Sequence, residues 1–184
     1  MSEALDPISG SLDTAMVIVT AAAQGRRAGC LVGFHCQSSM DPPRWSFWLS
    51  KANHTYRVGL HASSFAMHFL DEQQKDYAER FGSLSGEDTD KFEGVRWRPG
   101  EDGVPLLSDF TNRVELRRVA LLDDGGDHVC VTGAVHAVTA VDGFEPLRLS
   151  QVLHLRPGHG NEERAPICGC GSAVSAKRCR RTSR

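Results

Sequence analysis

The strongest constraint in this 184-residue chain is a pair of long β-rich runs, residues 113–122 and 128–141, joined by Asp123-Asp124-Gly125-Gly126. Asp and Gly tolerate the positive φ that tight hairpin turns demand, so the two runs predict paired antiparallel strands. In the second run Val129, Val131, Gly133 and Val135 fall on one face, with His128, Cys130, Thr132, Ala134 and His136 on the other. That period of two is the pattern of a strand whose two faces meet different surroundings.

Shorter segments extend the same reading. Ala15 to Thr20 is a β-branched run, Gln24-Gly25-Arg26-Arg27 supplies a turn, and residues 29–38 return as a strand with Gly33 in the middle. Asp41-Pro42-Pro43 breaks the chain before an aromatic-rich strand over residues 44–50. Asn53 is a good N-cap for a short helix ending near Ala62 and Ser63; a strand over 64–70 follows, then an amphipathic helix over 71–81 that Gly82 ends. Residues 147–155 read as a closing strand. About six strands joined mostly by short turns predict a mainly β fold, an antiparallel sheet that closes or nearly closes into a barrel, with one or two inserted helices.

Charge divides the chain into unlike parts. Residues 1–156 carry 15 basic and 21 acidic side chains, a net −6, whereas residues 157–184 carry 6 and 2, a net +4. Three regions are therefore expected: an N-terminal arm over 1–14, one domain over 15–156, and a basic, disordered tail over 157–184. An acidic body offers no field to hold a nucleic-acid backbone. The longest uncharged apolar stretch, residues 15–23, is far short of the roughly 20 residues of a membrane span, and no basic cap precedes an apolar run at the amino terminus. These features predict a cytoplasmic protein. Cys30, Cys36 and Cys130 lie in apolar segments and read as free thiols. In the tail, Cys168, Cys170 and Cys179 with His159 lack the spacing of a zinc knuckle, so no metal site is assigned.

No P-loop, dinucleotide fingerprint or H-E-x-x-H motif is present. Two segments have site-like chemistry. Ser50-Lys51-Ala52-Asn53-His54-Thr55 runs from a strand end into a helix start, placing backbone N–H groups beside short polar side chains and a lysine, as a phosphate requires; a plain N-cap with an exposed lysine accounts for it equally well. Gly33, flanked by Phe34, His35 and Cys36, allows a planar ligand to lie against the backbone, or marks a simple strand irregularity.

The ordered series Met16 to Thr20, Gly25-Arg26-Arg27-Ala28-Gly29, Asp41-Pro42-Pro43, Lys51 to Thr55, Phe65 to Leu70, Lys91-Phe92-Glu93-Gly94-Val95-Arg96-Trp97 with Gly103 to Leu107, and Gly126-Asp127-His128 with Gly133 resembles the flavin reductase family of NAD(P)H:flavin oxidoreductases. The resemblance spans about residues 12–156. It implies a split β-barrel that dimerises, binds FMN or FAD, accepts hydride from NADH or NADPH, and often serves a monooxygenase partner. It places the flavin ring against Leu31, Val32, Gly33, Phe34, His35 and Cys36, the flavin phosphate on Ser50, Lys51, Asn53, His54 and Thr55, and the nicotinamide beside Gly126, Asp127 and His128, with His128 orienting it. Hydroxyl and small residues common in the family's ring segment are replaced here, so ring hydrogen bonds fall to backbone groups or His35. In the closing segment Leu149, Leu153 and His154 stand where aromatic residues are frequent. A flavin-binding carrier or redox sensor without turnover, and an oxidoreductase with tightly held flavin acting on another small molecule, are the alternative expectations.

Overall fold

The computed structural model describes residues 6–158. A short helix α1 (Asp6–Leu12) leads into a hairpin of β1 (Val17–Ala23) and β2 (Arg26–Val32). Its turn places Gln24 and Gly25 at φ 52° and 74°, where Gly25 is at no steric disadvantage. A second hairpin follows, β3 (His35–Met40) and β4 (Pro43–Ser50), then α2 (His54–Gly59), β5 (Ser64–Phe69) and α3 (Lys75–Ser83). Two short strands, β6 (Trp97–Pro99) and β7 (Pro105–Leu107), precede the long hairpin of β8 (Arg113–Leu122) and β9 (His128–Thr139).

Seven strands form one antiparallel sheet in the order β2-β1-β5-β8-β9-β4-β3. The sheet curls around a single interior: Cys30 and Val32 of β2 share one apolar cluster with Phe47 and Leu49 of β4, although four strands separate β2 from β4 in the sheet order. Strand β1 is buried on both faces. Val17, Val19 and Ala21 point into that interior, whereas Ile18 packs outward with Phe81, Leu107, Phe110 and Leu147. Burial of each such large side chain contributes on the order of 1.5–3 kcal/mol.

The outer layer is pinned by two buried polar side chains. Thr20 Oγ1 donates to the Pro105 carbonyl at 2.7 Å. His68, with no exposed surface, accepts the Leu107 N–H at Nε2 (3.0 Å), so its Nδ1–H is the donor to the Ile18 carbonyl at 3.3 Å. Burial pushes its pKa down to about 3, outweighing the bond to Ile18.

The mainly β, antiparallel architecture and the long hairpin follow the sequence reading, and the differences have local causes. The expected single strand over 29–38 is two, β2 and β3, because the chain turns at Gly33 and Phe34. The short strands β6 and β7 are too brief and proline-bounded to show a period. The helix expected over 71–81 begins as a 3₁₀ turn, capped reciprocally by Asp71 and Gln74, and passes Gly82 to end at Ser83. The closing strand over 147–155 is not a strand. Leu149, Val152 and Leu155 recur every third residue, the 3₁₀ period, and Gln151 and Val152 donate to the carbonyls of Arg148 and Leu149. The last part of the tail, including Cys168, Cys170 and Cys179, lies outside the described residues.

Candidate functional site

Where β2 ends, residues Leu31, Val32, Gly33 and Phe34 form one wall of a cleft of about 350 Å³. Such a volume lies in the range of small-molecule sites. Trp48 and Ser50 from β4, Asn53 before α2 and His128 at the start of β9 supply further walls. The roof comes from elements distant in sequence: Phe81 and Gly82 of α3, and Leu149, Val152 and Leu155. Antiparallel pairing explains the convergence, since Ser50 sits opposite His128 in the β4–β9 register. The Trp48 N–H donates to the Phe34 carbonyl at 2.9 Å, holding the β2–β3 turn against β4.

Glycines let this layer close up. A Cβ on Gly82 would lie 3.0 Å from Leu31 Cδ2, and one on Gly29 only 2.7 Å from the Phe81 ring, so both are needed for α3 to approach β2. Gly33 differs: a Cβ there meets Met16 at an ordinary 3.4 Å, so the fold itself does not demand glycine.

Of the ring segment, residues 31–34 face the cleft, and the next two do not. His35 opens β3 and lines a neighbouring hollow with Thr14, Gly33, Phe34 and Trp48. Both its ring nitrogens are engaged: Nδ1 accepts from Trp45 Nε1 at 3.3 Å, and Nε2 is 2.8 Å from the Ala15 carbonyl. Burial holds its pKa down despite that second bond. Of the two expected sources of ring hydrogen bonds, His35 has its nitrogens on partners within the fold, and the backbone groups of 31–34 line the cleft itself. Cys36 is exposed along β3, because strand alternation carries it away from the cleft. Cys30, unassigned by the sequence, lines the cleft instead, its thiol pushed up chiefly by burial.

The expected phosphate segment is also divided. Ser50 and Asn53 line the cleft, and the Asn53 side chain caps α2 by accepting the Thr55 N–H at 3.0 Å. Lys51 does not reach it. Its buried side chain is bonded at 2.6 Å to Asp123 in the β8–β9 turn, and its N–H donates to the Asp127 carbonyl. That contact and the Gly125 N–H hold the Asp123 carboxyl below its ordinary range. Thr55 is buried, and His54 opens onto a separate, charged hollow. Gly126 and Asp127 lie in the exposed turn, where Asp127 Oδ1 is 2.8 Å from His128 Nδ1. The carboxylate can only accept, so Nδ1 carries the donated proton, and Nε2 is turned away from that bond. Phe34 contacts the same ring edge-on at 5.4 Å. Among the described residues, no cluster of His, Cys, Asp and Glu is arranged to hold a metal.

An apolar, flat-walled cleft with a few polar groups at one end is suited to an aromatic ligand carrying a polar tail. The model of the flavin reductase like domain matches residues 9–154, and the chain belongs to this family. It is 33% identical over 155 residues, 79% of each chain, to the reductase subunit HsaB of a flavin-dependent monooxygenase from Mycobacterium tuberculosis. To the NADH-dependent FMN reductase SmoA of Agrobacterium fabrum it is 30% identical, over 77% of this chain and 78% of that one. Among solved structures, the NADH:FAD oxidoreductase SgcE6 of Streptomyces globisporus superposes with a TM-score of 0.69 at 25% identity, covering 77% of this chain and 84% of that one.

Proposed function

We propose that the chain transfers hydride from NADH or NADPH to FMN or FAD bound in the cleft formed by Leu31, Val32, Gly33, Phe34, Ser50 and Asn53, and hands reduced flavin to a monooxygenase. The carrying observation is the meeting of that cleft with His128, in a chain of this family. The residues fit a flavin: the walls are apolar, Gly33 leaves the backbone of residues 31–34 open to a ring, and Ser50 and Asn53 offer hydrogen bonds at one end. When bound, the flavin supplies the hydride-accepting centre.

The protein's part is positioning. Leu31, Val32 and Trp48 set the plane in which a ring lies, and Leu149, Val152 and Leu155 shield it from water. His128, its Nδ1 held by Asp127, presents Nε2 to the carboxamide of a nicotinamide and exchanges no proton. The monooxygenase partner is supported by the relative that is itself a reductase subunit. A homodimer is supported by the unpaired edge strand β3, where Met40 is 85% exposed, and by the cleft-rim Phe34, 59% exposed. A monomeric mass by light scattering removes the dimer.

Anaerobic titration with NADH or NADPH in the presence of FMN or FAD tests the reaction. Bleaching near 450 nm at catalytic protein concentration is expected; flavin binding without bleaching favours a carrier instead.

A further inference from the structure

The roof of the cleft is tied down by residues from the other end of the chain. The Leu149 N–H donates to the Thr14 carbonyl at 3.0 Å, and Ala15 is bridged to Arg148. One residue further along the roof, the Asp13 carboxylate takes both donors of Ser150. Its Oδ1 accepts the backbone N–H at 2.8 Å, and its Oδ2 accepts the hydroxyl at 3.0 Å. Arg148 Nη1 donates to the Asp13 carbonyl at 3.4 Å.

Asp13 stands where glycine is the usual occupant. It follows the last residue of α1 at φ 40°, the left-handed position on which helices commonly end. An aspartate there carries a steric cost, and what it has that glycine lacks is the carboxylate on Ser150. The fold does not need that carboxylate to direct the chain as far as Leu149. The Met16 N–H already donates to the Leu147 carbonyl at 2.8 Å, and the Leu147 N–H to the Leu70 carbonyl at 2.7 Å. Past Ser150 the backbone bonds run within the roof, from Gln151 to Arg148, Val152 to Leu149 and Leu155 to Val152. Val152 and Leu155 otherwise rest on apolar packing, and the exposed pair of His154 with Glu79 at 3.8 Å adds little. The Asp13 clasp thus acts on the roof between two of the side chains that line the cleft, Leu149 and Val152.

We propose that Asp13 is a positioning residue for bound flavin: by clasping Ser150 it holds the Leu149, Val152 and Leu155 roof against the cleft, and so sets how long the cleft keeps its flavin. The inference rests on the flavin reading of that cleft. A segment tied by few bonds opens locally far more often than the sheet beneath it, and such openings set release rates.

The test uses the whole chain loaded with FMN, diluted rapidly while flavin fluorescence reports release. Asp13→Gly removes both bonds yet accepts the left-handed turn without strain, and is expected to release FMN about tenfold faster. Ser150→Ala keeps the backbone bond and is expected to release it about threefold faster. Asp13→Asn still accepts the Ser150 N–H, donates to the Ser150 hydroxyl and tolerates the turn, so it is expected to stay within about twofold of wild type. Hydrogen exchange on the flavin-free protein gives a second readout: the Val152 and Leu155 amides exchange faster in Asp13→Gly than in Asp13→Asn. Release from Asp13→Gly at the wild-type rate overturns the proposal, as does release from Asp13→Asn as fast as from Asp13→Gly. Exchange that is the same in all variants overturns the clasp whether or not FMN binds. Wild type that binds neither FMN nor FAD overturns the cleft reading, and this inference with it.

Discussion

Three histidines show how one residue type acquires three roles from its surroundings. His128 is half-exposed and held by Asp127, leaving one nitrogen toward the cleft. His128→Ala is expected to raise the NAD(P)H KM about tenfold, the worth of one net hydrogen bond, with flavin dissociation nearly unchanged; an unaltered KM rejects its positioning role. His35 has both nitrogens engaged within the fold, by Trp45 and the Ala15 carbonyl. His68 is the buried strut of β7, with a pKa of about 3 against 6.5 when unconstrained. Between those values the unfolded chain binds a proton that the folded chain refuses. Stability is thus full above pH 6.5 and is lost as pH falls toward 3, by about 2 to 3 kcal/mol at pH 4.5. Urea unfolding at pH 7 and 4.5 checks this, because His68→Gln keeps both hydrogen-bond functions but removes that share of the acid sensitivity.

At the scale of elements, the site depends on how the β8–β9 turn is held. Lys51 at the end of β4 reaches Asp123, and its N–H reaches the Asp127 carbonyl, so one residue ties the turn that carries His128 to the strand that carries Ser50. Lys51→Met keeps the buried stem and removes the tie. It is expected to reproduce the His128→Ala rise in KM at smaller magnitude, with flavin affinity preserved; a selective loss of flavin instead returns Lys51 to the phosphate role first read for it. Asp123→Asn, an exposed partner, gives the same direction without touching a buried side chain. The period-three run Leu149, Val152 and Leu155 shows a different limit, for its apolar spacing was visible while its place as the cleft's roof depends on where the sheet puts it.

Over the whole molecule, the near-balanced charge conceals an acidic body and a basic tail, and the family match covers only the former. Among the described residues no helix is long and apolar enough to cross a membrane. The long hairpin, the strand pairs around it and the short capped helix after Asn53 were legible in the chain, because turn chemistry, period-two alternation and capping are properties of neighbouring residues; residues 31–34, Ser50, Asn53 and His128 became candidates through the family resemblance, local chemistry alone leaving plain structural readings open. The pairing of Lys51 with Asp123, the withdrawal of His35 and Cys36 from the cleft, the roof from α3 and residues 149–155, and the bonds from Asp13 to Ser150 were decided only by tertiary structure. Those outcomes depend on which distant side chains compete for the same partner or space, and that competition is settled only once the sheet has curled and its register is set.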